Sequence, residues 1–249
     1  MANTLKMMSP PGYGAVVPLD KQSHAGMGLT SANDYRWCGT LNAVFLNAVE
    51  MARAAMDYPI AFARDERNGE FMPIAVLGLR DQQNLFVNEA GQWKYGAYVP
   101  AYFRRFPFCI AEVPHPNGEE AQRLVCVQQD SLTKTDKPLF DAKGEPTDAW
   151  TPILKLLEAV EGSRQQTRVL VRRLEALDLL TPFDAIAMPR EGEQIRLKGM
   201  FRVDDEKLKV VPSKDLRVLM KRNELRAVYA HLISLENFAR LMEMSQKKT

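Results

Sequence analysis

At 249 residues, 46% of them hydrophobic, the chain is long enough to bury one large core or two small ones. Charged residues make up 26%, and 33 basic side chains against 31 acidic ones leave a formal net charge of +2. That balance argues against wholesale disorder, and it offers no electrostatic footprint for nucleic acid or an anionic membrane surface.

The first stretch, 1–13, is rich in Pro, Gly, Ser and Met and reads as a flexible N-terminus; "AVVPLD" is the first ordered piece. No continuous apolar region or cleavage site marks a secretory signal, and no run approaches the roughly 18 apolar residues of a membrane span. The expected location is therefore cytoplasmic, with no membrane span. "NAVFLNAVEMARAAMDYP" predicts an extended entry and a helix through Glu50–Met56, stopped before Pro59. "PIAFARD" and "FMPIAVLGL" flank the turn "ERNG", and "NLFVN" reads as a further strand. "CIAEV" and "RLVCVQQ" flank "PHPNGEEAQ" as a second hairpin. About five strands between 59 and 129 suggest one antiparallel meander, since helical crossovers are mostly missing.

Past the turn-rich "KTDKPLFDAKGEPTDAW", Ile153, Leu156, Leu157 and Val160 form one helical stripe, and Leu170, Leu174 and Leu177 a second. Thr151 is the expected cap and Pro152 suits the first turn, while Gly162-Ser163 is a candidate kink or break. "DAIAMP" and "EQIRLKGMFRVD" predict a hairpin around "REGE". From Ser213 the chain is helical, with Asn223 separating two helices. The expected fold is α+β: helices packed on a mainly antiparallel sheet. The expected organisation is a single domain over 14–242 (sheet-rich 59–130, helical 150–180, hairpin 183–204, helical 213–242), then a solvated tail at 243–249.

Chemistry concentrates in "GAYVPAYFRRFPF", residues 96–108. A guanidinium suits bidentate recognition of a carboxylate or phosphate and stacks on aromatic faces. Arg104 and Arg105 therefore stand as candidate ligand-binding residues with Tyr98 and Tyr102. Adjacent residues of a regular element point apart, so one arginine is expected to meet a carboxylate inside the fold and the other solvent. Arg64, in "DYPIAFARDE", can share their pocket. The competing reading makes the aromatics core and the arginines structural donors to loop carbonyls. His231, in "AVYAHLISLEN", is the remaining candidate, because imidazole can act as acid, base or ligand. It also fits the edge of an apolar helical face, hydrogen-bonded to a carbonyl. No HxH, HxxxH or HExxH pair occurs, so no metal site is expected; GxSxG, GxGxxG and Walker A patterns are missing, so neither catalytic residues nor a cofactor are assigned. The three cysteines, Cys38, Cys109 and Cys126, contain no CxxC and read as buried free thiols. Cys109 and Cys126 can lie on neighbouring strands, from which no disulfide follows.

Several stretches, taken in order, resemble a known family. "PLDKQSHAGMGL", "NAVFLNAVEMARAAMDYPIAFAR", "PIAVLGL", "YVPAYFRR-PF", "KPLFDAKGEPT", "GMFRVDDEKL" and "YAHLISLENFARL" are similar to the SapC family of bacterial proteins, from about Pro18 to Leu241. Where Phe45 stands, the family more often carries proline. The resemblance implies association with bacterial surface-layer proteins and genomic company with outer-membrane receptors and flavin-dependent halogenase-like proteins. It transfers no catalytic residue. The reading is thus a soluble accessory or binding protein of a surface-layer or outer-membrane-linked system, whose C-terminal helices offer a face to a protein partner. The alternative is an enzyme or binder of a small anionic ligand in an Arg/Tyr pocket.

Overall fold

The computed structural model describes residues 8–30, 34–66, 68–113, 122–188 and 194–247. Two short strands come first, β1 (Val16–Pro18) and β2 (Met27–Leu29), then a 3-10 turn at Arg36–Cys38 and strand β3 (Ala43–Phe45). Helix α1 (Ala48–Ala54) starts behind Asn47; Glu50, at its third position, reaches back to accept from the Asn47 N–H at 3.1 Å, as in a capping box. The hairpin β4 (Ile60–Arg64) and β5 (Phe71–Val76) lies where the apolar runs around "ERNG" place it. The four-residue helix α2 (Ala101–Arg104) precedes a second hairpin, β6 (Phe108–Val113) and β7 (Gln122–Gln128), and then β8 (Leu132–Lys134). The residues expected to turn between β6 and β7, like those of "REGE", lie largely outside the described residues.

Helix α3 (Trp150–Ala176) runs unbroken for 27 residues, about 40 Å at the usual rise. Gly162-Ser163 therefore neither kinks nor divides it, and its N-cap is Ala149 rather than Thr151; the Thr147 hydroxyl accepts from the Ala149 N–H at 3.2 Å. The hairpin β9 (Leu180–Ala187) and β10 (Ile195–Val203) follows. Four helices complete the chain: α4 (Asp205–Lys209), α5 (Ser213–Lys221), α6 (Glu224–Ser234) and α7 (Asn237–Lys247). Asn223 separates α5 from α6 in the left-handed conformation, φ 59°, which asparagine tolerates better than most residues.

The strands form three antiparallel sheets among the described residues: β3-β5-β4-β10-β9, β1-β7-β6 and β2-β8. The α+β class is as expected, but the single meander is not. The first hairpin joins the distant β9–β10 hairpin, and the second joins the N-terminal strand. "NLFVN" contributes only one isolated bridge, Val87 to Trp93.

Alternation along β6 and β7 gives the three-stranded sheet two buried faces. Cys109, Ala111, Leu124 and Cys126 pack into the larger core with the β3–β5 layer, while Phe108, Val125 and Val127 pack with Phe140, Trp150 and Leu157 in a smaller one.

The β4–β10 seam is held differently. The register pairs Phe62 with Phe201, and continuing it two residues sets Ile60 opposite Val203. There the imidazole of His231, from α6, stands in the ladder. Its Nδ1–H donates to the Ile60 carbonyl at 2.8 Å and its Nε2 accepts from the Val203 N–H at 3.0 Å. The Ile60 N–H is taken by the Ser234 hydroxyl at 2.9 Å.

Candidate functional site: an arginine-bearing aromatic cleft

The loop entering α2 is fixed by acids from α1 and its exit. Tyr98 is the node. Its N–H donates to Asp57 at 2.9 Å, its carbonyl accepts from the Tyr58 hydroxyl, and its own hydroxyl donates to Glu50 at 2.7 Å. Glu50 is 5% exposed. It also accepts from the Ala101 N–H at 2.6 Å and the Asn47 side-chain amide at 3.1 Å. Burying a carboxylate costs several kcal/mol unless donors surround it; here Asn47 supplies two donors from the start of α1, and Tyr98 and Ala101 supply two that hold α2 against α1. Burial, with Glu50 alongside, pushes the Tyr98 phenol up to about 12, so it stays a donor.

Arg104 belongs to the same network. Its Nε donates to the Val99 carbonyl at 3.0 Å, its Nη2 donates to the Tyr98 hydroxyl at 3.1 Å, and the same nitrogen lies 3.8 Å from Glu50. Glu50 is thus a carboxylate within the fold, but the expected split is not found: Arg104, which meets it, has a side chain 44% exposed, and Arg105 is half-buried rather than in solvent. Arg105 lies 4.8 Å over the Tyr102 ring and beside the hydroxyls of Tyr13 and Tyr102, whose pKa values burial raises above the ordinary tyrosine value. Those hydroxyls donate onward, Tyr13 to the Phe108 carbonyl at 3.0 Å and Tyr102 to the Pro11 carbonyl at 2.7 Å.

Both arginines line one cleft of about 420 Å³. Arg104 ends α2 and Arg105 is its cap. The cleft opens at the seam between the two cores. Trp37, Phe103 and Phe106 come from one core, Phe108 and Leu157 from the other, and Ile153 and Leu156 from the start of α3. Trp37 stacks on Phe106 at 4.0 Å between ring centroids, which stiffens that floor. Asp34, at the rim, is paired with Arg36, whose guanidinium holds its carboxyl down to about 2. Arg104 is balanced by Glu50. Among the described residues, Arg105 has no carboxylate within ion-pair distance, and its Nε is buried without a hydrogen-bond partner.

The other candidates lie elsewhere. Tyr98 and Tyr102 stand behind the cleft and support its arginines. Arg64 is outside the residues that line it: it sits 4.2 Å over the Phe71 ring and 3.7 Å from Glu175. His231 is fully buried with both ring nitrogens occupied by backbone. Sequence reasoning missed Glu50, although the Asn47-x-x-Glu50 spacing was visible, and it missed Trp37, Ile153 and Leu156 as cleft walls.

Among the described residues no helix is long and apolar enough to cross a membrane. The family model described as SapC matches residues 19–241. No curated protein and no solved structure matches the chain.

Proposed function

Starting from the chain's membership of the SapC family, we propose that it is a binding protein serving a bacterial surface-layer or outer-membrane-linked system from the cytoplasm. It holds a small ligand with an anionic head and an apolar body in the aromatic cleft. The observation that carries this reading is Arg105, a guanidinium uncompensated by any described carboxylate, at a cleft whose apolar walls include Trp37, Phe106, Phe108, Ile153 and Leu156 and whose other charges, Arg104 and Asp34, are already paired. A cleft of this size is within the range that takes small organic molecules, and the planar guanidinium suits a carboxylate. The surface-layer link rests on the family alone.

Calorimetric titration with 3-phenylpropionate and decanoate, against 3-phenylpropanol as the neutral control, tests it. Saturable binding of a carboxylate, weakened about tenfold or more in Arg105→Met, is the expected result; tenfold corresponds to about 1.4 kcal/mol. No saturation with either acid, or equal affinity in the variant, ends the reading.

Exposed apolar residues on the C-terminal helices, Met220, Tyr229 and Ile233, favour a second reading, in which that face docks a protein partner. Affinity capture with the wild type and Ile233→Asp separates the two: identical recoveries remove the docking face.

A further inference from the structure

We infer that Cys109 and Cys126 form a reversible redox pair, closing a disulfide across β6 and β7 when peroxide reaches them. It does not rest on the cleft reading, although Arg105 lies close enough to Cys109 to bear on its thiol. The carrying observation is register: Cys109 and Cys126 are direct partners across the antiparallel pair, so their side chains leave the sheet on one face. The Gln128 N–H donates to the Pro107 carbonyl at 3.0 Å, which marks that neighbouring position as hydrogen-bonded. Alternation puts the cysteine pair, two residues on, in the same class, with Cα atoms about 5.5 Å apart. That separation is close to the commonest one for disulfides. At a hydrogen-bonded pair the Cβ atoms stand somewhat farther apart than in most disulfides, so closure takes a small local shift and leaves a bond that is readily reduced.

The two thiols are reduced, buried and in contact. They are also unequal. The hydrogen bond from Cys109 lowers the Cys126 thiol below its ordinary value, whereas that bond and burial raise Cys109. Attack by Cys126 with Cys109 resolving is one order of events, and the reverse order gives the same disulfide. Cys38 is a built-in control: it lies apart, bonded to the Tyr35 carbonyl at 3.1 Å, with its thiol pushed up to about 12 by burial.

The chemistry balances with hydrogen peroxide as oxidant. The Cys126 thiolate attacks one peroxide oxygen, the O–O bond breaks, and hydroxide leaves a sulfenic acid on Cys126. The Cys109 sulfur then attacks the Cys126 sulfur; the S–O bond breaks, and the departing hydroxide takes the Cys109 proton as water. The proton released when the Cys126 thiol ionised neutralises the first hydroxide, so two thiols are oxidised and one peroxide is reduced to two waters. Peroxide is small enough to reach a buried pair through local opening. β1 holds the outer edge of β7 through only three paired positions, so that edge can open locally.

The test uses the full chain. Folded protein is treated with hydrogen peroxide, quenched, denatured, alkylated and mapped by mass spectrometry. The expected product links the peptides of Cys109 and Cys126, is lighter by the two thiol hydrogens, leaves Cys38 alkylated and reverts with dithiothreitol. Cys126→Ser abolishes the link and leaves Cys109 alkylatable; Cys38→Ser keeps the link. A parallel arm refolds the protein from denaturant in peroxide, so that burial does not limit access. A link in either arm supports the pair. Alkylation of both cysteines in both arms, or over-oxidation of Cys126 without a link, overturns it.

Discussion

Removing the charge-sensitive member of the β4–β10 seam gives a sharp test of how His231 works. Burial holds its pKa down to about 4, against an ordinary 6.5. In the folded protein the imidazole stays neutral, with one nitrogen donating to Ile60 and the other accepting from Val203. Between those values the unfolded chain binds a proton that the folded chain refuses. The contribution is therefore complete above about pH 6.5, declines as pH falls, and is exhausted near pH 4, where the folded form also protonates. Integrated from about pH 7.5 down to about pH 5, the loss is about 2 kcal/mol. His231→Gln supplies a control, because an amide can donate to Ile60 and accept from Val203 yet does not titrate. Urea unfolding of both proteins across this range should show the wild type losing about 2 kcal/mol more than the variant. Carboxylates common to both cancel in the difference. Parallel stability–pH curves would refute the seam argument, as would an imidazole that titrates near 6.5 in the folded protein.

Three further outcomes follow from local geometry. Gly162→Ala should stabilise the protein by up to about 1 kcal/mol in thermal or urea unfolding, since Gly162 lies inside α3 and an added Cβ meets nothing within 4 Å. Gly78→Ala should cost about 2 kcal/mol in the same assays, because its Cβ would lie 2.0 Å from the Gln83 carbonyl oxygen and backbone must move. Glu50→Ala should cost about 3 kcal/mol and lower the midpoint of urea unfolding, because it strands the buried donors of Asn47, Tyr98 and Ala101.

The elements that could be read from sequence were those whose cause is local. The three hairpins announce themselves by apolar runs around turn residues, and α3 by its two apolar stripes. "NLFVN" looks like a strand by composition, but its flanking asparagines redirect the backbone. The Asn84 side chain accepts from the Phe86 N–H at 2.9 Å, and Asn88 from the Gln92 N–H at 2.8 Å, so turns form where a ladder was expected. Gly162 is tolerated in α3 because packing of the flanking stripes outweighs one weak helix former. The sheet partition was beyond reach, since no local pattern near Phe62 specifies Phe201 as its neighbour. At the cleft, the two arginines were legible as a motif, but the walls from the start of α3 and from Trp37 are brought there by tertiary packing alone.

In the stretch 96–108, the proposed role of Arg105 is supported by how firmly its backbone is held. Tyr98 is tied through its N–H, its carbonyl and its hydroxyl. Arg104 closes the ring by bonding Val99 and Tyr98, so its charge goes to holding α2 in place. Each of these bonds fixes the backbone on which Arg105 is mounted, and Tyr102 then limits the guanidinium from one side. Ordering a long arginine side chain on binding costs up to about 2 kcal/mol of rotamer entropy. A guanidinium already stacked and backed by two tyrosines has met much of that cost during folding, which leaves more of the interaction energy for a ligand. Both arginines line the cleft, but only Arg104 is paired with a described carboxylate; if the proposed carboxylate binding holds, loss of Arg104 should show mainly in stability and loss of Arg105 mainly in affinity.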